Sequence, residues 1–101
     1  MLPPKLRDFI GKVLKKTIDG ELNWSFDEFA TTVSTWHPQF SMEVRYMFNE
    51  NSEMGEYAVL YKETGNSTEF RFVTDQSYET DYDLLRNLFN AAQASEIQFP
   101  F

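Results

Sequence analysis

The chain has 101 residues, of which 42% are hydrophobic and 17% aromatic, and its formal net charge is −7. This length fits one domain spanning residues 1–101, and so much aromatic surface can offset the chain entropy that favours disorder. The absence of cysteine excludes disulfides, thiol nucleophiles and cysteine-ligated metal centres, and no apolar run approaches the roughly 18 residues of a membrane span.

The charge is unevenly distributed along the chain. Residues 1–16 carry a net charge of +4, whereas residues 17–101 carry −11. An acidic body repels phosphate, so we expect no nucleic-acid partner. The acidic charge suits a basic protein partner, although an ordinary solvated surface is the more common explanation of such charge. The amino-terminal residues lack the apolar core of a signal peptide, which predicts a cytoplasmic protein.

Two amphipathic helices are predicted, one near each end of the chain. Pro3 and Pro4 suit a first helical turn, and Asp19-Gly20 is a typical end. Near the second helix, Thr80 and Asp83 have the spacing of a capping box. The apolar stripes of the two helices are Leu6, Phe9, Ile10, Val13 and Leu14, and Tyr82, Leu84, Leu85, Leu88, Phe89 and Ala92. A basic first helix could lie on a membrane, but the sheet needs its stripe as a cover, so we expect no membrane partner.

Four strands are predicted between the helices, at residues 29–36, 40–48, 57–62 and 68–73. The last three alternate apolar and polar residues, and short turns join them, which predicts an antiparallel meander. Leu22 and Trp24 fit either a short strand or an anchored loop. The predicted fold is therefore α+β with two layers, in which N- and C-terminal helices pack on one face of a four-stranded antiparallel β-meander, in the order α-β-β-β-β-α.

Alternation assigns the strand residues to two faces. The helices should cover the face that holds Phe40, Val44, Tyr57 and Phe70. The opposite face, called the outer face below, should carry Glu43, Arg45, Met47, Ala58, Leu60, Lys62, Glu69, Arg71 and Val73. In the register we assume for the first strand, Ala30, Thr32, Ser34 and Trp36 also belong to the outer face.

Motifs that would indicate catalysis or a cofactor are not found. Glycine occurs only at positions 11, 20, 55 and 65, which leaves no phosphate-binding glycine loop and no nucleophile elbow. His37 precedes a proline and has no acidic residue near it, so we interpret it as a turn residue. The run His37-Pro38-Gln39 is similar to a motif of streptavidin-binding peptides, a match that we attribute to chance. The sequence predicts no enzyme activity, no metal and no cofactor.

The carboxyl-terminal tail, residues 96–101, is apolar at alternate positions. Ile97, Phe99 and Phe101 would be costly to leave in water, by roughly 1.5–3 kcal/mol for each fully buried equivalent. We therefore expect them to pack on the domain or on a partner.

The motif Gly20-Glu21-Leu22-Asn23-Trp24 lies between the first helix and the meander, and Leu84-Leu85, Leu88-Phe89 and Ala91-Ala92 mark the closing helix. With these features the chain resembles a loose group of small bacterial and phage proteins that share the helix–meander–helix order. The resemblance implies a packing role for Trp24 and no particular activity.

The leading hypothesis is a non-catalytic acidic interaction module, for example an immunity protein or inhibitor that binds a basic partner. Its candidate partner-binding residues on the outer face are Trp36, Glu43, Met47, Leu60, Glu69 and Val73. A separate acidic patch is expected at Asp75, Glu79, Asp81 and Asp83. The alternative is a homodimeric sheet protein with a ligand-binding or structural role. Binding like that of a secretion chaperone is less favoured, because those chaperones carry a helix between strands that this pattern lacks.

Overall fold

The structure is a computed structural model that describes residues 1–97 and residue 100. Its elements in chain order are α1 (Pro4–Ile18), β1 (Ser25–Asp27), β2 (Thr32–Trp36), β3 (Phe40–Asn49), β4 (Met54–Glu63), β5 (Glu69–Asp75) and α2 (Glu79–Ser95). The strands form one antiparallel sheet in the order β1-β2-β3-β4-β5. The α+β class and the antiparallel meander are confirmed, with five strands in place of the predicted four.

The additional strand arises before β2, where we expected one strand to begin at Phe29. The side-chain Oδ1 of Asp27 accepts hydrogen bonds from the backbone N–H groups of Phe29, at 3.0 Å, and Ala30, at 3.3 Å. Such a side-chain turn competes with strand pairing, and it joins β1 to β2 as a hairpin. Phe29 is 97% exposed in this turn. Ala30 lies in the turn as well, so its assignment to the outer face was wrong.

The helix ends follow local backbone chemistry. Helix α1 begins at Pro4 and is followed by Gly20, whose φ of +80° few other residues adopt. Helix α2 begins at Glu79 after Tyr78, and no side-chain hydrogen bond caps it. The capping box predicted at Thr80 was therefore wrong, because Thr80 already lies inside the first turn.

The two helices cover the inner face of the sheet, where the core lies. Cross-strand register places Val33, Val44, Val59 and Phe72 in one row of this face. The core formed there comprises Leu2, Ile10, Val13, Leu22, Trp24, Val33, Phe40, Met42, Val44, Tyr57, Val59, Leu85, Leu88, Phe89 and Ala92. Of the four residues predicted for this face, Phe70 is the exception in burial, with 46% of its surface exposed.

A buried carboxylate joins the amino-terminal ends of the two helices. Asp81, 3% exposed, accepts a hydrogen bond on Oδ2 from the backbone N–H of Leu2, at 2.8 Å, and one on Oδ1 from Nε of Arg7, also at 2.8 Å. Nη2 of Arg7 also donates to the carbonyl oxygen of Leu2 at 3.2 Å. This arrangement ties the start of the chain to α2.

The carboxyl-terminal ends of the helices meet around Trp24. The buried indole Nε1 donates to Oγ1 of Thr17 at 3.0 Å, and the backbone N–H of Trp24 donates to Oγ of Ser95 at 3.3 Å. The two helices therefore lie side by side and run in the same direction. Trp24 acts as a packing anchor in this structure, 3% exposed.

Three tyrosine rings pack together at the other end of the domain, and two of them, those of Tyr46 and Tyr82, lie against Gly55. The Tyr57 ring centroid lies 5.2 Å from that of Tyr46 and 5.1 Å from that of Tyr82. Burial, followed by the nearby tyrosines, raises the pKa of Tyr57 to about 12. A Cβ added at Gly55 would lie 2.7 Å from Oη of Tyr46 and 2.8 Å from Oη of Tyr82, so this position has no room for a side chain.

The predicted packing of the tail falls largely outside the described residues. Ile97 is 55% exposed beside a groove at the carboxyl-terminal ends of the helices. Phe99 and Phe101 lie beyond the part of the chain that the structure describes.

We expect Asp81→Asn to lower the free energy of unfolding by about 1.5–3 kcal/mol, because two donors lose a charged acceptor in a buried position. Urea denaturation followed by circular dichroism measures the change. Asp83→Asn is the matched control. Asp83 is half-exposed and bonded to Arg86 at 2.9 Å, and its loss should cost less than about 1 kcal/mol. Equal effects of the two substitutions would contradict the role given to Asp81.

We expect Gly55→Ala to destabilise the domain by about 1–3 kcal/mol, because the new methyl group displaces two packed tyrosine rings. Gly11→Ala provides the control, since Gly11 lies within α1 and a Cβ there meets nothing within 4 Å. That substitution should stabilise the helix by about 0.5–1 kcal/mol. Thermal denaturation of both variants tests the opposite signs, and a stabilising Gly55→Ala would show that the rings have room to move.

Candidate functional site

The outer face of the sheet has no helix over it within residues 1–97. Its cross-strand rows, read from β2 to β5, are Trp36-Ser41-Lys62-Glu69, Ser34-Glu43-Leu60-Arg71 and Thr32-Arg45-Ala58-Val73. A further row continues with Met47, Glu56 and Asp75. Thr32, Ser34 and Trp36 thus lie on the predicted face. All six predicted partner-binding residues lie there too, because alternation along each strand is maintained.

Apolar side chains occupy the middle of the outer face and one end of it. Leu60 is half-buried at the centre, and Val73 is 38% exposed on the edge strand. Ala58, between Arg45 and Val73, is fully buried, so the longer side chains around it close over the backbone. Trp36 stands at the end of β2 with 70% of its surface exposed. The exposed indole therefore offers apolar surface that a binding partner could bury.

Charged residues of both signs surround these apolar side chains. The acids are Asp27, Glu43, Glu56, Glu69 and Asp75, and the bases are Arg45, Lys62 and Arg71. Lys62 lies directly opposite Glu69, and Nε of Arg45 donates to Oγ1 of Thr32 at 3.2 Å. The face is therefore weakly acidic, and it holds three of the four basic residues that follow residue 17.

A shallow depression of about 40 Å³ lies between Trp36 and Leu60, with Glu43, Lys62 and Glu69 among its lining residues. A volume of this size holds a few water molecules or the tip of one side chain. Sites for small-molecule ligands are about 300–1,000 Å³. The depression therefore suits contact with a protein surface better than capture of a free ligand.

The predicted acidic patch is divided by the fold. Asp81 is buried in its contacts with Leu2 and Arg7, so it adds nothing to an exposed patch, and its inclusion was wrong. Asp75 accepts hydrogen bonds from the side chain and backbone of Ser77, which lower its pKa. Asp83 pairs with Arg86. Glu79 alone of the four is an exposed carboxylate for which no hydrogen bond or ion pair is found within the described residues.

The single histidine of the chain is held in structural contacts. Nδ1 of His37 accepts a hydrogen bond from the backbone N–H of Gln39 at 3.0 Å, and the ring stacks on Phe40 with centroids 4.9 Å apart. His37 is thus a turn residue, as predicted.

Within residues 1–97, no three histidine or acidic side chains are grouped so as to hold a metal ion. In the same range no helix has the length and apolar character needed to cross a bilayer.

A second apolar surface, which the sequence did not indicate, lies between α1 and β5. This α1–β5 groove has a volume of about 460 Å³ and is lined mainly by Leu6, Phe9, Tyr61, Phe70 and Phe72. These residues have the same periodicity as the core. Nothing in the pattern distinguishes Phe70, which α1 leaves half-exposed, from its buried neighbours.

Comparison of the chain with profiles of protein families, with curated protein sequences and with solved structures finds no match.

We expect substitution of the buried Trp24 to affect stability much more than substitution of the exposed Trp36. Trp36→Ser should change the free energy of unfolding by no more than about 0.5 kcal/mol, as is usual for an exposed residue. Trp24→Phe should lower it by about 1 kcal/mol or more, because the buried hydroxyl of Thr17 loses its donor. Acrylamide should quench the remaining fluorescence of the Trp24→Phe variant strongly and that of the Trp36→Ser variant weakly. Weak quenching of the Trp24→Phe variant would show that Trp36 is covered in solution.

Proposed function

We propose that this chain is a non-catalytic protein-interaction module that binds a basic protein partner through the outer face. The observation that carries the proposal is Trp36, exposed on a face without helix cover and separated from half-buried Leu60 by a small depression. Protein interfaces have this composition, with aromatic and aliphatic anchors at the centre and a charged rim. The shallow relief favours a macromolecular partner over a small ligand.

The charge distribution supports a partner of basic character. The chain as a whole has a net charge of −7, and opposite charge on a partner accelerates encounter over long distances. Close to the contact, Leu60 lies between Glu43 and Arg71 in its row, and Lys62 lies opposite Glu69, so the preference for a basic partner depends on the charge of the whole chain. An immunity protein or inhibitor that covers the basic groove of a toxin or nuclease is the concrete form of this proposal.

The test compares three baits that differ only at defined surfaces: the unmodified chain, an outer-face variant Trp36→Ser/Leu60→Ser, and a control variant Lys12→Ser/Lys15→Ser on exposed α1. Extracts of the native host are passed over each bait. We expect a basic protein to be retained by the unmodified chain and by the control, and to be lost with the outer-face variant, because only that variant removes the apolar anchors. Truncation of a tryptophan that is an interface hot spot typically costs about 2 kcal/mol or more of binding free energy.

Three outcomes would contradict the proposal. Retention of the same protein by all three baits would place its site elsewhere, and an acidic partner would contradict the electrostatic argument. Failure of any protein to bind at about 0.05 M salt, where attraction between opposite charges is screened least, would also count against it. For a purified partner, the association rate should fall as salt rises, with little change for the control variant beyond that trend.

A further inference from the structure

Strand β5 forms an open edge of the sheet. It pairs with β4 on one side, and within the described residues no strand pairs with its other side. Natural edge strands are usually protected by short length, by proline or by charged side chains, lysine above all. The opposite edge, β1, has three residues, whereas β5 has seven and contains neither proline nor lysine. A free edge of this length is a template for another strand.

The side chains of β5 differ in character between the two faces of the sheet. On the inner face, Phe70 and Phe72 line the α1–β5 groove, and Phe70 is 46% exposed. On the outer face the charges alternate along the strand, with Glu69 negative, Arg71 positive and Asp75 negative. An occupant of this edge must therefore satisfy aromatic side chains on one face and alternating charge on the other.

A second copy of β5 can match the aromatic side chains on one face and the alternating charges on the other, provided that it pairs in a suitable antiparallel register. A two-fold axis at Phe72 would place Glu69 opposite Asp75 of the other copy, which brings like charges together twice. An axis at Val73 would pair Arg71 with Asp75 but leave Phe70 opposite Gln76, so that no two aromatic rings face each other. Opposite charges on directly facing residues stabilise a strand pair, and like charges destabilise it.

An axis at Phe70 satisfies both faces. It places Phe70 opposite Phe70 on the inner face and Glu69 opposite Arg71 twice on the outer face. Within β5 this register pairs Glu69, Phe70 and Arg71, and Phe72 faces Thr68, which precedes the strand. The rings of Phe70 and Phe72 from the two copies then gather beside the two grooves. Aromatic pairs that face each other across two strands add to the stability of the pairing.

We propose that the chain forms a symmetric homodimer through antiparallel pairing of β5 with β5 of a second copy, centred on Phe70. The dimer contains one continuous ten-stranded sheet, and the outer faces of the two copies lie on the same side of it. The proposal does not depend on the outer face binding a partner, because the edge and that face are different surfaces.

The first test measures molar mass by light scattering after size exclusion, over a concentration series of the full chain. We expect dimers to form by about 500 µM or below, and Glu69→Arg or Arg71→Glu alone to weaken association about tenfold, since each puts like charges opposite each other twice. The double substitution Glu69→Arg/Arg71→Glu should restore association, because it reverses both members of each pair. Lys12→Glu, the same change of charge as Arg71→Glu but on α1, should leave association unchanged.

The second test uses the absence of native cysteine. Facing Cα atoms in an antiparallel pair are about 4.5–5.5 Å apart, within the range that a disulfide spans. Phe70→Cys should therefore give a disulfide-linked dimer under mild oxidation. Val73→Cys is the control, since in this register the two positions lie about 20 Å apart along the strands. Circular dichroism verifies that each variant is folded.

Several results would overturn the proposal. If the chain stays monomeric at every concentration, the homodimer is ruled out, and the β5 edge would be open only to a strand of a different protein. A dimer that the double substitution fails to restore, or one that cross-links through Val73→Cys and not through Phe70→Cys, has another register or another interface. None of these results bears on the outer-face experiment, so the two proposals fail independently.

Discussion

The carboxylate of Asp81 lies where the amino-terminal ends of two neighbouring helices meet. Helices that run side by side in the same direction place their positive ends together, which is unfavourable unless a negative charge lies between them. Asp81 supplies that charge and also accepts a hydrogen bond from the backbone N–H of Leu2. The helix pair can then lie flat on one side of the sheet. The exposed outer face and the α1–β5 groove follow from that one-sided cover.

Much of the fold could be predicted, because periodicity in the sequence reports directly on which face is buried. The alternation in β3, β4 and β5 and the apolar stripe of α1 located those elements to within a few residues. The failures come from single side chains that redirect the backbone. Asp27 bonds to the N–H groups that would have extended β2, and the turn at Asp75 starts α2 earlier than the spacing of Thr80 and Asp83 suggested.

For the candidate site, the sequence predicted the face of the sheet on which each residue lies but not its exposure. Alternation placed Leu60 and Val73 on the outer face, but whether a residue remains exposed depends on where the helices lie. Phe70 shows this, because its pattern is that of a core residue and its environment is an open groove. Asp81 shows the converse, since the arginine that it binds is 74 positions away in the chain. Such long-range pairs leave no trace in local spacing.

The side-by-side helices also determine when the chain can complete its fold. Helix α1 is synthesised before α2, and Leu2 and Asp81 are 79 positions apart in the chain. Closing so long a loop lowers the entropy of the chain, and this cost comes before the contacts of Asp81 with Leu2 and Arg7 can stabilise the fold. The meander between them has only short-range pairings and can form earlier. During synthesis, α1 can pack on the sheet, through Phe9 on Phe40 and Tyr61, before α2 has left the ribosome. Its bonds to Asp81 form only when α2 follows.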